Sequence, residues 1–579
     1  MKFLKKMLKK VLKYFLVGEN KLILSLIVLG SVTWSLTMVR SGLCFPRDCS
    51  LGIGFWGANG HDGIWHLSLI NRLSEFKFSL PILSGARMAN YHLGYDFLLA
   101  LIHKITSISA SYLYFQIFPL ILALLIGFLI YKVTYIWKKS FWVSFWSLFL
   151  VYFGGNFAYL VSLSRGQGIS GESMFWTQPT IYTLINPPFA LSLVVLLLGI
   201  FNLDKYYRLG KVKYLVFSSL LFGSLMQVKA YAAVLVLISL FIVSLWEIFF
   251  GKRKRVVKVF ILSFLLTFLI FLPLLRSRSL FKPALFWTVE TMFAFPDRVY
   301  WPRMYQAMIN YKASLNLLKG IPAYVFSFLV FVIGNLGIRF IFLLDFKGWK
   351  NFFKKPDWLT IFFFSFFSIG FIIPNLVIQE GTPWNTIQFS YYSVFFASFL
   401  AADSLSKLKV NKYVVMLFVL FLSMPTTFSS LKHYLAPKPQ SLLPKEELAA
   451  LNFLKSKDNG IVLFAFVYNP DIKKPDAPVP LYLYDSTAYI SAFSGKDVYL
   501  EDTVNLNILG YGKEAKEREE KLKIFLSNPN TQEGRKFLKS NDIKYIYRPK
   551  LIYYPGLDEK LLDLTNIFDN ERVTIYQVN

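Results

Sequence analysis

The feature that most constrains this chain is a succession of eleven long apolar segments. They lie at 22–39, 112–134, 141–163, 189–203, 214–230, 231–250, 257–275, 321–344, 358–378, 387–403 and 413–428. A helix of about 20 apolar residues matches the hydrocarbon thickness of a bilayer. Inside lipid the backbone must satisfy its own hydrogen bonds, which favours helices. The sequence therefore predicts a polytopic α-helical membrane protein with about 11 transmembrane helices, in a domain covering residues 1–434.

Charge placement supports this interpretation and predicts an orientation. The chain is 17% charged and carries a net charge of +29. Its basic residues cluster at the N-terminus and in short segments that alternate with the apolar runs, which is the pattern of cytoplasmic loops. We therefore expect membrane lipids rather than nucleic acid as partners, with the N-terminus cytoplasmic. Its Lys-, Phe- and Ile-rich composition fits a bacterial plasma (inner) membrane protein, and an internal membrane is the open alternative.

The opposite side then receives the long segments. These are the first long loop, 40–111, two further loops at 164–188 and 276–320, and the tail from 435 to 579. The pattern of the tail predicts an extracytoplasmic α/β domain. One helix is predicted to begin at 444–447, and two others to cover 512–526 and 531–540. Strands are predicted at 461–467, 543–547 and 573–576. Because the tail has no phosphate loop and no nucleophile elbow, we interpret it as a binding or structural lid.

Cys44 and Cys49 are the two cysteines of the chain and lie in the first long loop. In an oxidising compartment they could form a small disulfide. Two free thiols are the equal alternative, and two cysteines alone do not define a metal site.

The first long loop also contains a cluster of chemically active side chains. The stretch GHDGIWH brings together His61, Asp62 and His66, and Asp62 and His66 share a face if the stretch is helical. Arg87, His92 and Asp96 follow. A carboxylate near histidine suits proton abstraction from a hydroxyl, and it equally suits binding of a divalent cation.

Cationic candidates come from two other regions. Lys229 interrupts an apolar run, and ionisable residues at membrane depth are often functional. It could hold a lipid phosphate, or it could extend to the interface. The loop 276–320 carries Arg276, Arg278, Arg298 and Arg303, which could bind pyrophosphate or anionic lipid head groups. Glu380, in the turn EGTPWN, is a possible substrate contact.

With these features the whole chain resembles the GT-C superfamily of membrane glycosyltransferases. The resemblance rests on the many spans, on Asp62 and the YHLGYD segment at 91–96 in a long loop after the first span, and on the tail. AFSGKDVYLEDT at 492–503 and the FDNERVTIYQV ending look like the tails of bacterial members. The chain has no clear DxD motif and no WWDxG-type motif, which argues against an oligosaccharyltransferase.

The resemblance implies an inverting transfer of a sugar, such as a hexose, from a polyprenyl-phosphate donor. Asp62 matches the position of the catalytic acidic residue of the family and would deprotonate the acceptor, with Asp96 as a second candidate. The substrate-binding set would comprise His61, His66, Arg87, His92, Lys229, Arg276, Arg278, Arg298, Arg303 and Glu380. The acceptor, whether glycan, lipid or protein, stays open, and a divalent cation is possible.

Two other functions compete with this one. A transporter or flippase of a lipid-linked substrate would favour internal repeats and polar residues at mid-span, and neither is evident. A non-catalytic cell-envelope assembly protein would act through its tail and would tolerate replacement of Asp62.

Overall fold

A computed structural model describes residues 20–251, 253–272, 281–551 and 554–579. Each of the eleven apolar segments overlaps a helix or a pair of helices. The helices are Asn20–Ser35, Ala110–Lys138, Phe141–Phe153 with Ala158–Ser164, Pro187–Leu209, Val212–Val228, Ala230–Phe249, Arg255–Phe271, Leu317–Leu344, Trp358–Asn375, Gln388–Ser406 and Lys412–Tyr434. The N-terminal lysines, Lys252, Arg276 and Arg278 lie outside the described residues.

Length and apolar composition distinguish the helices that can cross a membrane from the shorter ones. Within the described residues, 6 helices are long and apolar enough to span a bilayer, or 7 if the pair Phe141–Phe153 and Ala158–Ser164 forms one span bent by 46°. Asn20–Ser35 and Val212–Val228 are apolar but shorter. These apolar helices support a multi-pass membrane protein, whereas the count of about 11 spans stays a prediction.

A buried arginine accounts for the bent pair. The break between the two helices leaves carbonyl groups without helical partners. Arg339 donates to three of them, the carbonyl oxygens of Leu150, Gly154 and Gly155, at 2.6, 2.9 and 3.0 Å. The side chain is fully buried. Because a charge in an apolar interior must be hydrogen-bonded, Arg339 and the break stabilise each other. We interpret Arg339 as structural.

The first long loop folds onto the C-terminal segment through a shared sheet. Strands Leu43–Phe45 and Gly52–Phe55 pair antiparallel, and Cys44 and Cys49 form a disulfide beside them. Gly52–Phe55 also pairs antiparallel with Ser441–Pro444, which in turn pairs parallel with Val479–Pro480. The loop and the tail therefore share backbone hydrogen bonds, although residue 435 was predicted as a boundary between them.

A five-stranded mixed sheet forms the centre of the tail. Its strand order is Leu564–Asp569, Val573–Val578, Ile543–Pro549, Ile461–Phe464 and Asp497–Val498. The first three strands are antiparallel neighbours and the last three are parallel neighbours. Helices Lys445–Ser456, Gly512–Ser527 and Gln532–Ser540 lie within two residues of the predicted helical segments.

Shorter elements complete the described chain. The remaining helices are Asp62–Ser74, Gly94–Thr106, Trp287–Ala294, Pro302–Ala313, Phe346–Lys354, Leu481–Tyr484, Tyr489–Ser494, Thr503–Ile508 and Glu559–Leu562. Short 3₁₀ turns occupy Gly57–Gly60, Thr180–Ile185 and Pro383–Ile387, and Phe281–Pro283 pairs with Val377–Gln379.

The edge of the five-stranded sheet binds the first long loop. Val498 donates its backbone N–H to the carbonyl of Pro81 at 2.8 Å and accepts from Ser84 at 2.9 Å. Arg72 forms an ion pair with Asp497 at 2.9 Å. Pairing the edge strand in this way satisfies its backbone groups and fixes the tail against the loop.

Candidate functional site

The candidate site begins at the first residue of helix Asp62–Ser74. A 3₁₀ turn, Gly57–Gly60, leads into His61, and Asp62 occupies the first helical turn. A carboxylate at a helix N-terminus is stabilised by the unpaired N–H groups and the positive end of the helix dipole. The local sequence thus favours an ionised Asp62.

His61 and Asp62 form the first of two histidine–aspartate pairs, which we call the Asp62 pair. His61 Nδ1 lies 2.9 Å from Asp62 Oδ1, and the Asp62 side chain is 48% exposed. Burial acts to raise the pKa of Asp62, but the hydrogen bond and charge of His61 outweigh it and lower that pKa. Asp62 is therefore an ionised carboxylate that a substrate can reach.

The other nitrogen of His61 faces the tail. His61 Nε2 lies 3.5 Å from Oδ1 of Asp502, whose side chain is fully buried. Burial acts to lower the pKa of His61, yet the hydrogen bonds and charges of Asp502 and Asp62 raise it well above its usual value. His61 is thus a cation held between two carboxylates, one from each region.

The second pair, the Asp96 pair, combines His66 with Asp96. His66 Nδ1 lies 2.7 Å from Asp96 Oδ1, and the Asp96 side chain is 0% exposed. The second carboxyl oxygen, Oδ2, has no hydrogen-bond partner among the described residues. Burial raises the pKa of Asp96, although the charge of His66 acts in the opposite direction.

Aromatic packing fixes the histidine of the Asp96 pair. The ring of His66 stacks on Tyr114 with centroids 5.5 Å apart. Tyr114 belongs to a single π-helical turn, Leu113–Ile117, at the start of the long helix Ala110–Lys138. Such turns occur frequently at functional sites because they rotate side chains relative to a regular helix.

Two glycines permit the close packing around the pairs. A Cβ on Gly94 would lie 2.7 Å from the carbonyl oxygen of Gln227, so the helix that carries Asp96 touches backbone next to Lys229. A Cβ on Gly63 would lie 2.6 Å from the ring of Phe115. Larger residues at either position would push the elements apart.

Lys229 lies at the break between helices Val212–Val228 and Ala230–Phe249. Its side chain is buried, and Nζ donates to Oδ1 of Asn186 at 3.3 Å. The Lys229 charge acts on both Asp62 and Asp96. The structure therefore brings this predicted cation to the two carboxylates, 130 residues or more away along the chain.

His92 completes the group at the Lys229 side. It stacks on Tyr91 with centroids 4.4 Å apart, and its Nδ1 has no partner among the described residues. Burial lowers the pKa of His92 well below its usual value, and the charges of Lys229 and His66 act in the same direction. His92 is thus a neutral ring with one free polar atom.

An aromatic recess lies next to Lys229. Asn186, the hydrogen-bond partner of Lys229, lines this recess together with Tyr182, Phe189, Tyr391 and Phe395. Such a wall can contact an apolar chain or the face of a ring.

Other predicted residues lie apart from this group. Arg298 donates to Ser173 and stacks on Trp176, 4.1 Å from the ring centre. It is engaged in packing the loops.

Arg87 and Arg303 are exposed, and Glu380 forms an ion pair with Lys282 at 2.7 Å on the surface. Of the predicted set, His61, Asp62, His66, His92, Asp96 and Lys229 come together. Four other predicted residues do not contact the two pairs: Arg87, Arg298, Arg303 and Glu380.

The possible divalent cation has no preformed cluster in the described part of the chain. There, no group of three or more His, Cys, Asp or Glu side chains is suited to hold a metal ion. In each pair, one carboxylate oxygen contacts a histidine nitrogen.

Sequence reasoning missed three participants. Asp502, Asn186 and Tyr114 contact predicted site residues, but each is remote in sequence from the residue it contacts. Asp502 lies in the stretch 492–503 and Asn186 in the loop 164–188, but nothing in either sequence pairs them with His61 or Lys229.

Comparison with known proteins identifies similar folds. No family model matches the sequence, and no curated protein matches it significantly. The structure of the arabinofuranosyltransferase AftD from Mycobacteria is similar, with a TM-score of 0.51 and 11% identity, over 97% of this chain and 40% of AftD. The chain thus spans less than half the length of AftD. At this identity the likeness concerns the fold.

The archaeal oligosaccharyltransferase AglB from Archaeoglobus fulgidus, solved with an inhibitory peptide and a dolichol-phosphate, gives a TM-score of 0.48 and 12% identity. That alignment covers 91% of this chain and 69% of AglB.

Proposed function

We propose that this chain, which has the GT-C fold of membrane glycosyltransferases, transfers a sugar from a polyprenyl-phosphate donor to an acceptor hydroxyl. The observation that carries the proposal is the combination at Asp62: an exposed carboxylate, a lowered pKa and a fixed histidine partner. The fold agrees with the resemblance inferred from the sequence. We further propose a bacterial plasma membrane location, with the site on the extracytoplasmic side.

In this mechanism Asp62 is the general base. The acceptor hydroxyl gives its proton to Asp62 as its oxygen bonds to the anomeric carbon, and the bond from that carbon to the phosphate oxygen breaks. The electron pair leaves with the lipid phosphate. A single displacement inverts the anomeric centre, and it needs one base and no nucleophilic carboxylate.

Lys229 and His92 would stabilise the leaving phosphate. A buried ammonium forms strong charge-assisted hydrogen bonds to phosphate oxygens, and it is oriented here by Asn186. The free Nδ1 of His92 could donate to the same group. Preorganised donors of this kind act where charge develops in the transition state. The aromatic recess beside Asn186 supports a donor that enters from this side.

The direct test is a turnover assay with purified protein in liposomes. A polyprenyl-phosphate hexose is the donor, membrane and envelope fractions supply acceptors, and released polyprenyl phosphate is measured. We expect release that depends on an acceptor fraction and a product of inverted anomeric configuration. Movement of intact donor across the bilayer without release would instead indicate a flippase.

The second test addresses donor binding. Lys229→Met keeps length and apolar volume but removes the charge, and we expect donor affinity to fall about tenfold or more, since charged hydrogen bonds contribute about 1.5–3 kcal/mol. Acceptor KM should change less. Lys282→Met is the matched control, because Lys282 pairs with Glu380 on the surface. Equal effects of both variants would assign Lys229 a structural role.

A further inference from the structure

Among the tail residues near the candidate site, Asp502 is the one that faces the His61 ring. Asp502 Oδ1 lies 3.5 Å from His61 Nε2, while the opposite ring nitrogen of His61 contacts Asp62 at 2.9 Å. At the site, Asp502 from the tail and Asp62 from the first long loop thus lie on opposite sides of the His61 ring. We infer that Asp502 is a positioning residue that holds His61 in the orientation that fixes Asp62, so that the C-terminal domain completes the site. This inference rests on the proposed function of Asp62.

The local structure holds Asp502 rigidly. Its backbone is in the left-handed region, with φ of 51°, which non-glycine residues adopt infrequently. Both carboxylate oxygens are used within the tail: Oδ1 accepts from the backbone N–H of Asn505 at 3.1 Å, and Oδ2 accepts from Asn505 Nδ2 at 2.8 Å. The side chain therefore cannot rotate freely away from His61.

Docking of the tail sets the position of Asp502. The residue before it, Glu501, donates its backbone N–H to the carbonyl of Ile82 at 3.0 Å. The residue after it, Thr503, donates its N–H to Ser486 Oγ at 2.9 Å. Asp502 is thus placed by one contact to the first long loop and one within the tail, so its distance to His61 follows from docking.

The charges around the His61–Asp62 pair explain why this contact affects the base. His61 faces the carboxylates of Asp502 and Asp62. Asp62 in turn faces the charges of His61, of His66 on its own helix and of Lys229 from the break before Ala230–Phe249. With both carboxylates present the pKa of His61 is raised, so the ring is cationic at neutral pH: it hydrogen-bonds to Asp62 through Nδ1 and faces the Asp502 charge through Nε2. Without the Asp502 charge the ring can lose a proton and turn or change tautomer, which frees Asp62.

The test compares Asp502→Asn with wild-type full-length protein by NMR of ¹³C-labelled histidine. The chain has 5 histidines, and His61→Gln assigns the His61 signal. We expect the pKa of His61 to fall by about one unit or more in Asp502→Asn. In the turnover assay, the alkaline limb of kcat should shift to lower pH by a similar amount, with donor KM nearly unchanged.

Asp497→Asn is the matched control, because Asp497 pairs with Arg72 between loop and tail without contacting His61. It should leave the His61 titration and the shape of the pH profile unchanged. An unchanged His61 titration in Asp502→Asn would overturn the inference, and so would an equal shift in Asp497→Asn.

A folding defect in Asp502→Asn would not end the test. Asn505→Ala removes the Nδ2 donor that restrains Asp502 and retains the carboxylate. A lowered His61 pKa in that variant supports the inference, and an unchanged pKa contradicts it. The NMR result stands even if no polyprenyl-phosphate sugar is turned over, so a failure of the proposed function can be told apart from a failure of this inference.

Discussion

The Asp62 pair and the Asp96 pair join the same two kinds of side chain within one site, yet their surroundings differ. Asp62 is 48% exposed and its pKa is lowered, whereas Asp96 is 0% exposed and its pKa is raised. Burial disfavours the charged form of a carboxyl group, and a cationic partner favours it. Exposure, more than residue type, therefore separates a carboxylate that can meet a substrate from one that orients its histidine.

The largest expected effect distinguishes the two carboxylates by rate. Asp62→Asn preserves shape but removes the base, and we expect turnover to fall about 10²–10⁴-fold with near-normal expression and donor binding. Asp96→Asn should cost less than about tenfold, because it only weakens the orientation of His66. Both rates are measured in the liposome assay.

The reverse order of effects would show that Asp96 is the base. Full activity in both variants would contradict the proposed mechanism and would favour a non-catalytic envelope-assembly role.

The next effect concerns the glycines that pack each pair. Gly94→Ala places a methyl group 2.7 Å from the backbone oxygen of Gln227, which cannot move without shifting the helix break. We expect a destabilisation of about 1–3 kcal/mol and weaker donor binding, because Lys229 adjoins that break. Gly63→Ala meets the outer edge of the Phe115 ring rather than backbone, and should cost less. Thermal unfolding in detergent measures both, and a greater loss in Gly63→Ala would contradict this order.

The smallest effect is a difference in the pH dependence of stability. A raised pKa means that folded Asp96 keeps a proton that the unfolded chain releases, so stability falls as pH rises from about 4 through the raised value. Asp96→Asn should remove this decline. For Asp62 the sign is opposite, because its lowered pKa adds stability that is lost as pH falls below about 4.

Melting temperatures of wild type, Asp96→Asn and Asp62→Asn between pH 3 and 8 test these signs. For a chain of 579 residues, a change of 1 kcal/mol in the free energy of unfolding should shift Tm by about 1 °C. Parallel profiles for the two variants would show that the two carboxyl groups do not differ in burial as described.

Much of the secondary structure followed from local sequence. Each of the eleven apolar segments overlaps a helix, because an apolar run in lipid must satisfy its backbone internally. In the tail, alternation and helix-start signals predicted elements such as Lys445–Ser456 and Ile543–Pro549 to within a few residues of their positions. These are short-range properties, so neighbouring residues carry the information.

The first half of the site was also visible in the sequence. His61, Asp62 and His66 lie within six positions, and a helix keeps such residues close whatever the rest of the fold does. The sequence by itself thus determined the helical membrane character, the elements of the tail and the local histidine–aspartate cluster.

Only the tertiary structure decided which distant residues join that cluster. Lys229 and Asp502 reach it from the helix break and from the tail, while Arg87, Arg303 and Glu380 remain on the surface. The sequence likewise gave no sign that Asp96 is buried and Asp62 exposed. Burial and long-range contacts depend on how helices and sheets pack together, and charge and hydrogen bonding at a site depend in turn on that packing.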